Sequence, residues 1–262
     1  MKRGIFTKKK PEKSLLLHLQ KHGGRGNTGR ITMRHQGGGA RKLYRLVDFG
    51  QEQLGKTGKV QAIEYDPNRN AFLMLVEYAN GAKQYAIAPH GIQAGDEITC
   101  DEKTEVKMGN RMRLKNIPPG ELVHNIELIP GMGGKIVRSA GTFARIDAHE
   151  GKYTQLMFPS SEVRKVLSES FASLGMVSYP EFRYTRMPNA GRNRLKGRRP
   201  HVKGTAMNPV DHPHGGGEGS TPVGMKYPKT PWGKPALGVK TRKSKKWTSR
   251  FIVQRRKKKK KK

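Results

Sequence analysis

Lys59–Tyr65 (KVQAIEY), Ala71–Ala79 (AFLMLVEYA) and Lys83–Ala88 (KQYAIA) follow one another, separated by Asp66-Pro67-Asn68-Arg69-Asn70 and by Asn80-Gly81. The first run alternates well, with Val60, Ala62 or Ile63, and Tyr65 as its apolar positions. The second is rich in apolar residues, and the third returns the chain after a hairpin turn at Asn80-Gly81. Pro67 and its Asp and Asn neighbours are turn formers. Working outward, Leu43–Phe49 (LYRLVDF) alternates in part, and Glu97–Cys100 makes a further short strand beyond Pro89-His90-Gly91 and Ala94-Gly95-Asp96. Five or so strands within about 60 residues suit a small OB-like barrel. Phe72, Tyr65, Tyr78 and Tyr85 lie in the strand pattern and are expected in its core.

Pro118-Pro119-Gly120 marks a boundary, after which strand-like runs resume at Leu122–Leu128, Ile136–Arg138, Thr142–Ala148, Tyr153–Phe158, Glu162–Leu167 and Ser173–Ser178. Their spacing reads as a second small barrel, SH3-like in size, with no repeat period linking it to the first. The expected fold is therefore mainly β: a basic N-terminal extension over 1–42, an OB-like barrel over 43–117, an SH3-like barrel over 118–182, and a basic extended C-terminal segment over 183–262. Ahead of the first barrel, Leu15-Leu16-Leu17 forms either one turn of helix or an anchoring strand, and its length does not decide which.

Charge divides the chain in the same way. Among 262 residues, 53 are Lys or Arg and 20 are Asp or Glu, a formal net charge of +33. Residues 46–182 are nearly neutral at −2, whereas 1–45 carry +12 and 183–262 carry +23. The middle can fold as ordinary globular protein. The arms hold too little apolar surface to offset chain entropy by themselves, and such arms usually become ordered on a polyanion. Nucleic acid is the natural partner, with an anionic membrane surface as the other candidate. No run approaches the roughly 18 apolar residues of a membrane span, and Lys8-Lys9-Lys10-Pro11 interrupts any signal-peptide core. Cys100 is the only cysteine, so no internal disulfide and no cysteine-based zinc site is expected. It reads as a small strand residue rather than a reactive thiol.

In the N-terminal arm, glycines alternate with Arg25 and Arg30, and then with Arg34, His35, Arg41 and Lys42. Glycine lets a backbone approach phosphates, and arginine forks onto phosphate oxygens or stacks on bases; a flexible solvated linker is the bland alternative. In the C-terminal segment Arg192, Arg194, Arg198 and Arg199 lead into an irregular stretch that ends at Gly219. This stretch has no helical or strand period. His201, Lys203 and Asn208 supply polar groups within it, Pro200, Pro209 and Pro213 stiffen it, and Gly215, Gly216 and Gly217 permit close approach. Its backbone groups are expected to be paired by something outside the protein. Asp211-His212-Pro213-His214 invites an enzymatic or metal reading, since a carboxylate can tune a histidine base. Two clustered histidines without cysteine or further carboxylate make a poor metal site, and no nucleophile motif accompanies them. Hydrogen bonding or stacking on RNA is the better role for His212 and His214. Trp232 and Trp247 lie in basic surroundings and either stack on bases or cap small apolar clusters. Arg242 belongs to a cationic tail that closes with Lys257–Lys262.

GRNRLKGRRPHVKGTAMNPVDHPHGGGEG, with GRITMRHQGGGARKLYRLVDF, EYDPNRNA, IPPGELVHNIEL and RSAGTFARI, closely resembles the large-subunit ribosomal protein uL2 (L2) family, from about Lys13 to Arg256. VDHPHGGGEG resembles the bacterial and organellar branch. The resemblance implies an OB-like domain followed by an SH3-like barrel, with both extensions threaded through large-subunit rRNA near the peptidyl-transferase centre. It implies further partners in other ribosomal proteins and in the small subunit across the intersubunit bridge, but none in a membrane. The expected location is the ribosome, in a bacterial cytoplasm or an organelle matrix or stroma. The family's catalytic centre is RNA, so no enzyme activity is expected. His212 with Asp211 is then an RNA-positioning pair, Gly215–Gly217 matches the loop that nears that RNA, and Arg25, Arg30, Arg34 and His35 match the N-terminal RNA-contacting segment. No cofactor is implied, and Mg2+ is expected only as an rRNA counterion. Against the family pattern the N-terminal arm is shorter, Met187-Pro188-Asn189 replaces a Leu-Gly-Lys type of sequence, and Leu195 stands where many members carry Trp. A free OB-fold protein binding single strands is the rival of a different class; it would tolerate scrambling of 198–219.

Overall fold

A computed structural model describes residues 6–7, 10–219 and 221–256. The Lys257–Lys262 run therefore lies outside the described residues. The chain divides into two compact units. One, here the barrel unit, comprises the described parts of 1–19 and 250–262 with Lys42–Arg186; the other, the arm unit, comprises Gln20–Arg41 and Met187–Ser249.

The barrel unit holds all the strands found among the described residues. In chain order these are β1 (Leu16–His18), β2 (Leu43–Arg45), β3 (Lys56–Glu64), β4 (Leu73–Tyr78), β5 (Lys83–Ile87), β6 (Glu97–Cys100), β7 (Arg111–Arg113), β8 (Leu122–His124), β9 (Ile126–Glu127), β10 (Gly134–Ile136), β11 (Ala144–Glu150), β12 (Tyr153–Met157), β13 (Val163–Leu167), β14 (Phe171–Leu174) and β15 (Ile252–Gln254). The architecture is mainly β, as expected for an OB-like barrel followed by an SH3-like one. The leucine run resolves into both of its alternatives: a 3-10 turn over Lys13–Leu15 runs directly into β1. The β1 strand pairs antiparallel with β2. This short ladder holds together the two ends of the 20–41 excursion.

In the first barrel β4 is central, paired with β3 on one side and β5 on the other. Its apolar run follows from burial on both faces. Met74 and Val76 pack with Val60, Phe72 and Ile98, while Leu73 and Leu75 pack with Ala62 and Tyr85. The ambiguity between Ala62 and Ile63 has a structural cause. The register with β4 shifts between Val60 and Ala62, so a bulge at Gln61 sends Val60 and Ile63 to one cluster and Ala62 to the other. Phe72, Tyr78 and Tyr85 are buried as expected, but Tyr65 is 42% exposed. Pairing ends at Glu64–Leu73, so Tyr65 stands beyond the last ladder residue, edge-on to Phe6.

The second barrel begins before the proline pair. β7 pairs with β14 and meets β6 only at Cys100–Arg111, in parallel. Met112, Leu114 and Ile117 belong to the same core as Val123, Ile146, Leu156 and Leu174. The seam thus lies between Cys100 and Arg111, ahead of the boundary expected at Pro118-Pro119-Gly120. Ser173–Ser178 is shifted too, the strand being Phe171–Leu174. The Leu122–Leu128 run is split by Asn125 at φ 47°, and β15 returns from the C-terminal segment to pair with β13. Cys100 is a half-buried strand residue whose burial pushes its thiol up to about 11, which leaves it protonated at neutral pH.

His124 on β8 is fully enclosed, and its Nδ1 lies 2.9 Å from the Gly175 carbonyl oxygen, to which it donates when neutral. Burial is the main cause that lowers it from 6.5 to about 4. Above pH 6.5 the ring is neutral in folded and unfolded chains alike, so stability does not depend on its titration. As pH falls from 6.5 toward 4, the unfolded chain binds a proton that the folded one refuses, and about 3 kcal/mol of stability is lost. Urea unfolding at stepped pH should show this decline, and His124→Asn should lower stability at pH 7 while removing that part of the slope.

Candidate nucleic-acid interface

The arm unit is built from turns, not from a hydrophobic core. Of its described residues only His212 is buried. In the N-terminal segment, the Thr32 and Met33 amides donate to the Gly24 carbonyl, and the Gly26 amide donates to Arg30, closing a loop bridged at Arg25–Ile31. Gly24 has φ +81°, and a Cβ there would lie 2.1 Å from the Met33 carbonyl oxygen, so the loop can close only on glycine. Arg25, Arg30 and Arg34 are exposed around it, as is Arg41, while Lys42 starts the barrel unit half-buried.

In the C-terminal segment a six-residue helix, α1 (Ala190–Leu195), precedes the irregular stretch. Asn189 caps it, its Oδ1 accepting from the Arg192 amide at 3.1 Å. The C-terminal segment expected to be extended over 183–262 thus contains a helix, whose sequence signal is the Pro188-Asn189 pair ahead of it. Arg192, Arg194, Arg198 and Arg199 are all exposed. Leu195, where many family members carry Trp, is 57% exposed.

The stretch over 198–219 pairs much of its backbone with itself, contrary to the expectation that an external partner must do so. A 3-10 turn over Gly204–Ala206 is followed by a turn in which the Asp211 and His212 amides both donate to the Asn208 carbonyl; the Gly216 amide then donates to Met207. Tight turns satisfy neighbouring donors without any strand or helix period. The same turns enclose His212. A Cβ on Gly204 would lie 2.5 Å from the imidazole Cε1, so glycine there lets the backbone lie on the ring. The Asn208 backbone is internal while its side chain is exposed, as are those of His201 and Lys203. Gly215 fits against the Asn208 carbonyl, and Gly216 and Gly217 take φ +91° and +94°.

The ring chemistry differs from the sequence expectation. No hydrogen bond or ion pair joins Asp211 to His212 among the described residues. Instead the His214 amide donates to His212 Nδ1 at 3.0 Å, the two rings lie 4.6 Å apart, and the Lys229 amide donates to His214 Nε2 at 2.8 Å. Adjacency in sequence does not bring the two side chains together; Asp211 is exposed and His212 is turned inward. An Nδ1 that accepts must be unprotonated. In agreement, desolvation first, then His214 and Arg34, hold His212 below its ordinary value. His35 lies with His201, ring centroids 4.3 Å apart.

Trp232 stands 74% exposed on a tight turn in which the Thr230 amide donates to Lys234 and the Gly233 amide to Thr230. It caps no apolar cluster among the described residues. Trp247 is also exposed. Arg242 is exposed but bonds its own chain, through Nε to Ser249 Oγ and Nη2 to Thr248 Oγ1. The arm unit carries nineteen lysines and arginines against two acids, Asp211 and Glu218. Among the described residues, the ion pairs all lie in the barrel unit, and none engages an arm lysine or arginine. Uncompensated cations on a glycine-rich, exposed backbone are suited to a phosphate backbone.

Residues 12–100 match the family model for the RNA-binding N-terminal domain of ribosomal proteins L2, and residues 107–233 match that for their C-terminal domain. The chain belongs to the ribosomal protein L2 family. The two matches meet between Cys100 and Lys107, at the same seam that the pairing of β7 with β14 defines. L2 membership makes the chain a structural ribosomal constituent that binds rRNA alongside other ribosomal proteins. The C-terminal L2 match runs through α1, the His212 turns and Trp232, so the irregular stretch lies inside the matched domain.

Proposed function

We propose that this L2-family chain holds large-subunit rRNA near the peptidyl-transferase centre and thereby supports subunit association, across a bridge to the small subunit, and tRNA placement. The observation that carries this reading is the buried, neutral His212 without a carboxylate partner, set among cations that have no acids of their own. A general base needs access to the proton it removes. His212 instead has Nδ1 engaged by the His214 amide and is 7% exposed. It shapes the turns over 198–219, and the arginines around them meet phosphate. Arg25, Arg30, Arg34, Arg41, Arg192, Arg194, Arg198 and Arg199 are the contacts of this reading, with Lys203 as a point charge and Trp232 as a stacking surface. Mg2+ enters only as a counterion of the RNA. The bacterial or organellar form of the VDHPHGGGEG segment supports a ribosome in a bacterial cytoplasm or an organelle.

Large subunits reconstituted without the chain should associate poorly with small subunits and regain association when it is added. His212→Ala should weaken peptidyl transfer and rRNA binding together, leaving the pH profile of transfer unchanged. Turnover by the isolated chain, or loss of transfer on His212→Ala with rRNA binding intact, would contradict this reading.

A further inference from the structure

We propose that residues 35–40 and 195–201 form a clasp that makes the two arms a single rRNA-binding element, assembled before RNA arrives. This rests on the reading of the arms as the rRNA-binding surface. The segments are separated by most of the chain, yet their backbones interlock. The Gly37 amide donates to the Gly197 carbonyl at 3.0 Å, the Ala40 amide to Leu195 at 2.9 Å, and the Arg199 amide to His35 at 3.0 Å. Gln36 and Arg198 form an antiparallel bridge. His35 Nδ1 lies 3.2 Å from the Pro200 carbonyl, and the His35 and His201 rings meet. On the N-terminal side, Lys21 Nζ fixes the Gly39 and Ala40 carbonyls, each at 2.9 Å.

These bonds have local reasons. The last carbonyls of a helix lack partners within it; Ala40 supplies one to Leu195, the last residue of α1. Gly39 and Gly197 let the backbones touch: a Cβ on Gly39, at φ +88°, would lie 2.9 Å from the Gly197 nitrogen and 3.0 Å from its Cα. The clasp uses neutral backbone groups where both segments are cationic. It thus gathers Arg34, Arg41, Arg192, Arg194, Arg198 and Arg199 onto one element against their mutual repulsion, which a polyanion then relieves. RNA that engages one arm finds the other already in place, as for two linked binding modules.

Gly38 provides the control. It also has positive φ, +64°, but a Cβ there meets nothing within 4 Å. Full-length Gly38→Ala and Gly39→Ala chains therefore share backbone strain and differ in the clasp. Amide hydrogen exchange of the RNA-free chains at Gly37, Ala40 and Arg199 reads the clasp directly. Cleavage of large-subunit rRNA by an iron chelate tethered at Thr28→Cys or Lys234→Cys, in a Cys100→Ser background, reads each arm's position. Gly39→Ala should lose exchange protection at these amides, displace both sets of cuts and bind rRNA about tenfold more weakly, whereas Gly38→Ala stays within about twofold of wild type. Retained protection in Gly39→Ala, or displacement of the Thr28 cuts alone, would overturn the clasp. Absence of rRNA cuts from both positions in otherwise wild-type chain would overturn the composite site through the underlying rRNA reading, while exchange still reports whether the arms are joined.

Discussion

Glu127→Ala should destabilise the barrel unit by about 3–5 kcal/mol, because it leaves the buried Arg111 guanidinium without the carboxylate that pairs with it. Glu127 is fully enclosed. Its Oε1 accepts from Gln51 Nε2 at 2.7 Å and from the Gly133 amide at 2.9 Å, and its Oε2 accepts from the Phe171 amide at 3.0 Å. Arg111 Nη2 lies 3.7 Å away, while Nη1 donates to the Asn125 carbonyl at 2.7 Å. Removing the carboxylate strands a cation and two backbone donors at once. Desolvation already lowers Arg111 from its usual value, with Glu127 among the groups opposing that shift. Glu127→Gln keeps an acceptor but not the charge and should fall between wild type and Glu127→Ala. A Glu127→Leu and Arg111→Met double variant should recover part of the loss, since two apolar groups leave no stranded charge. Urea unfolding of the four chains checks this, and a loss below about 1 kcal/mol for Glu127→Ala would refute it.

Replacing Arg192, Arg194, Arg198 and Arg199 together by glutamine should reduce affinity for large-subunit rRNA about 100- to 1,000-fold near 0.1 M salt. The slope of log K against log salt should flatten by about 3, as four phosphate contacts release fewer counterions. These side chains are exposed, unpaired with acids and lie on or beside α1. Barrel-unit stability should stay within about 0.5 kcal/mol, the usual range for exposed substitutions. Four lysines in their place should restore most of the slope but less of the affinity, because lysine cannot fork onto phosphate or stack. An unchanged slope in the glutamine chain would remove these residues from the interface.

How far the sequence shows all this depends on the distance over which a feature is determined. β4 and β5 are legible because alternation, an apolar run and Asn80-Gly81 are all local. The bulge at Gln61 is legible only as an ambiguity between two inward residues. β7 escapes because three residues, Arg111–Arg113, carry no alternation, and their partner β14 lies in the second barrel. The arms are legible as cationic and glycine-rich, and the long motifs carry the family resemblance. Their internal fit is not: Gly204 over His212 and Gly39 against Gly197 are steric matches between segments that no periodicity links. The pairing of Asp211 with His212 fails for the same reason, since side-chain direction in a tight turn is set by the turn.

The central claim is that the turns of 198–219 present a shaped surface to rRNA and not charge alone. It is tested most directly by titrating large-subunit rRNA with the full chain across a salt series, against a chain whose residues 198–219 are scrambled at constant composition. Shape recognition predicts that the scrambled chain loses specific affinity while its salt slope changes little, because the number of available cations is the same. Equal affinity and equal slope for both chains would contradict the account and leave the arms as electrostatic tails.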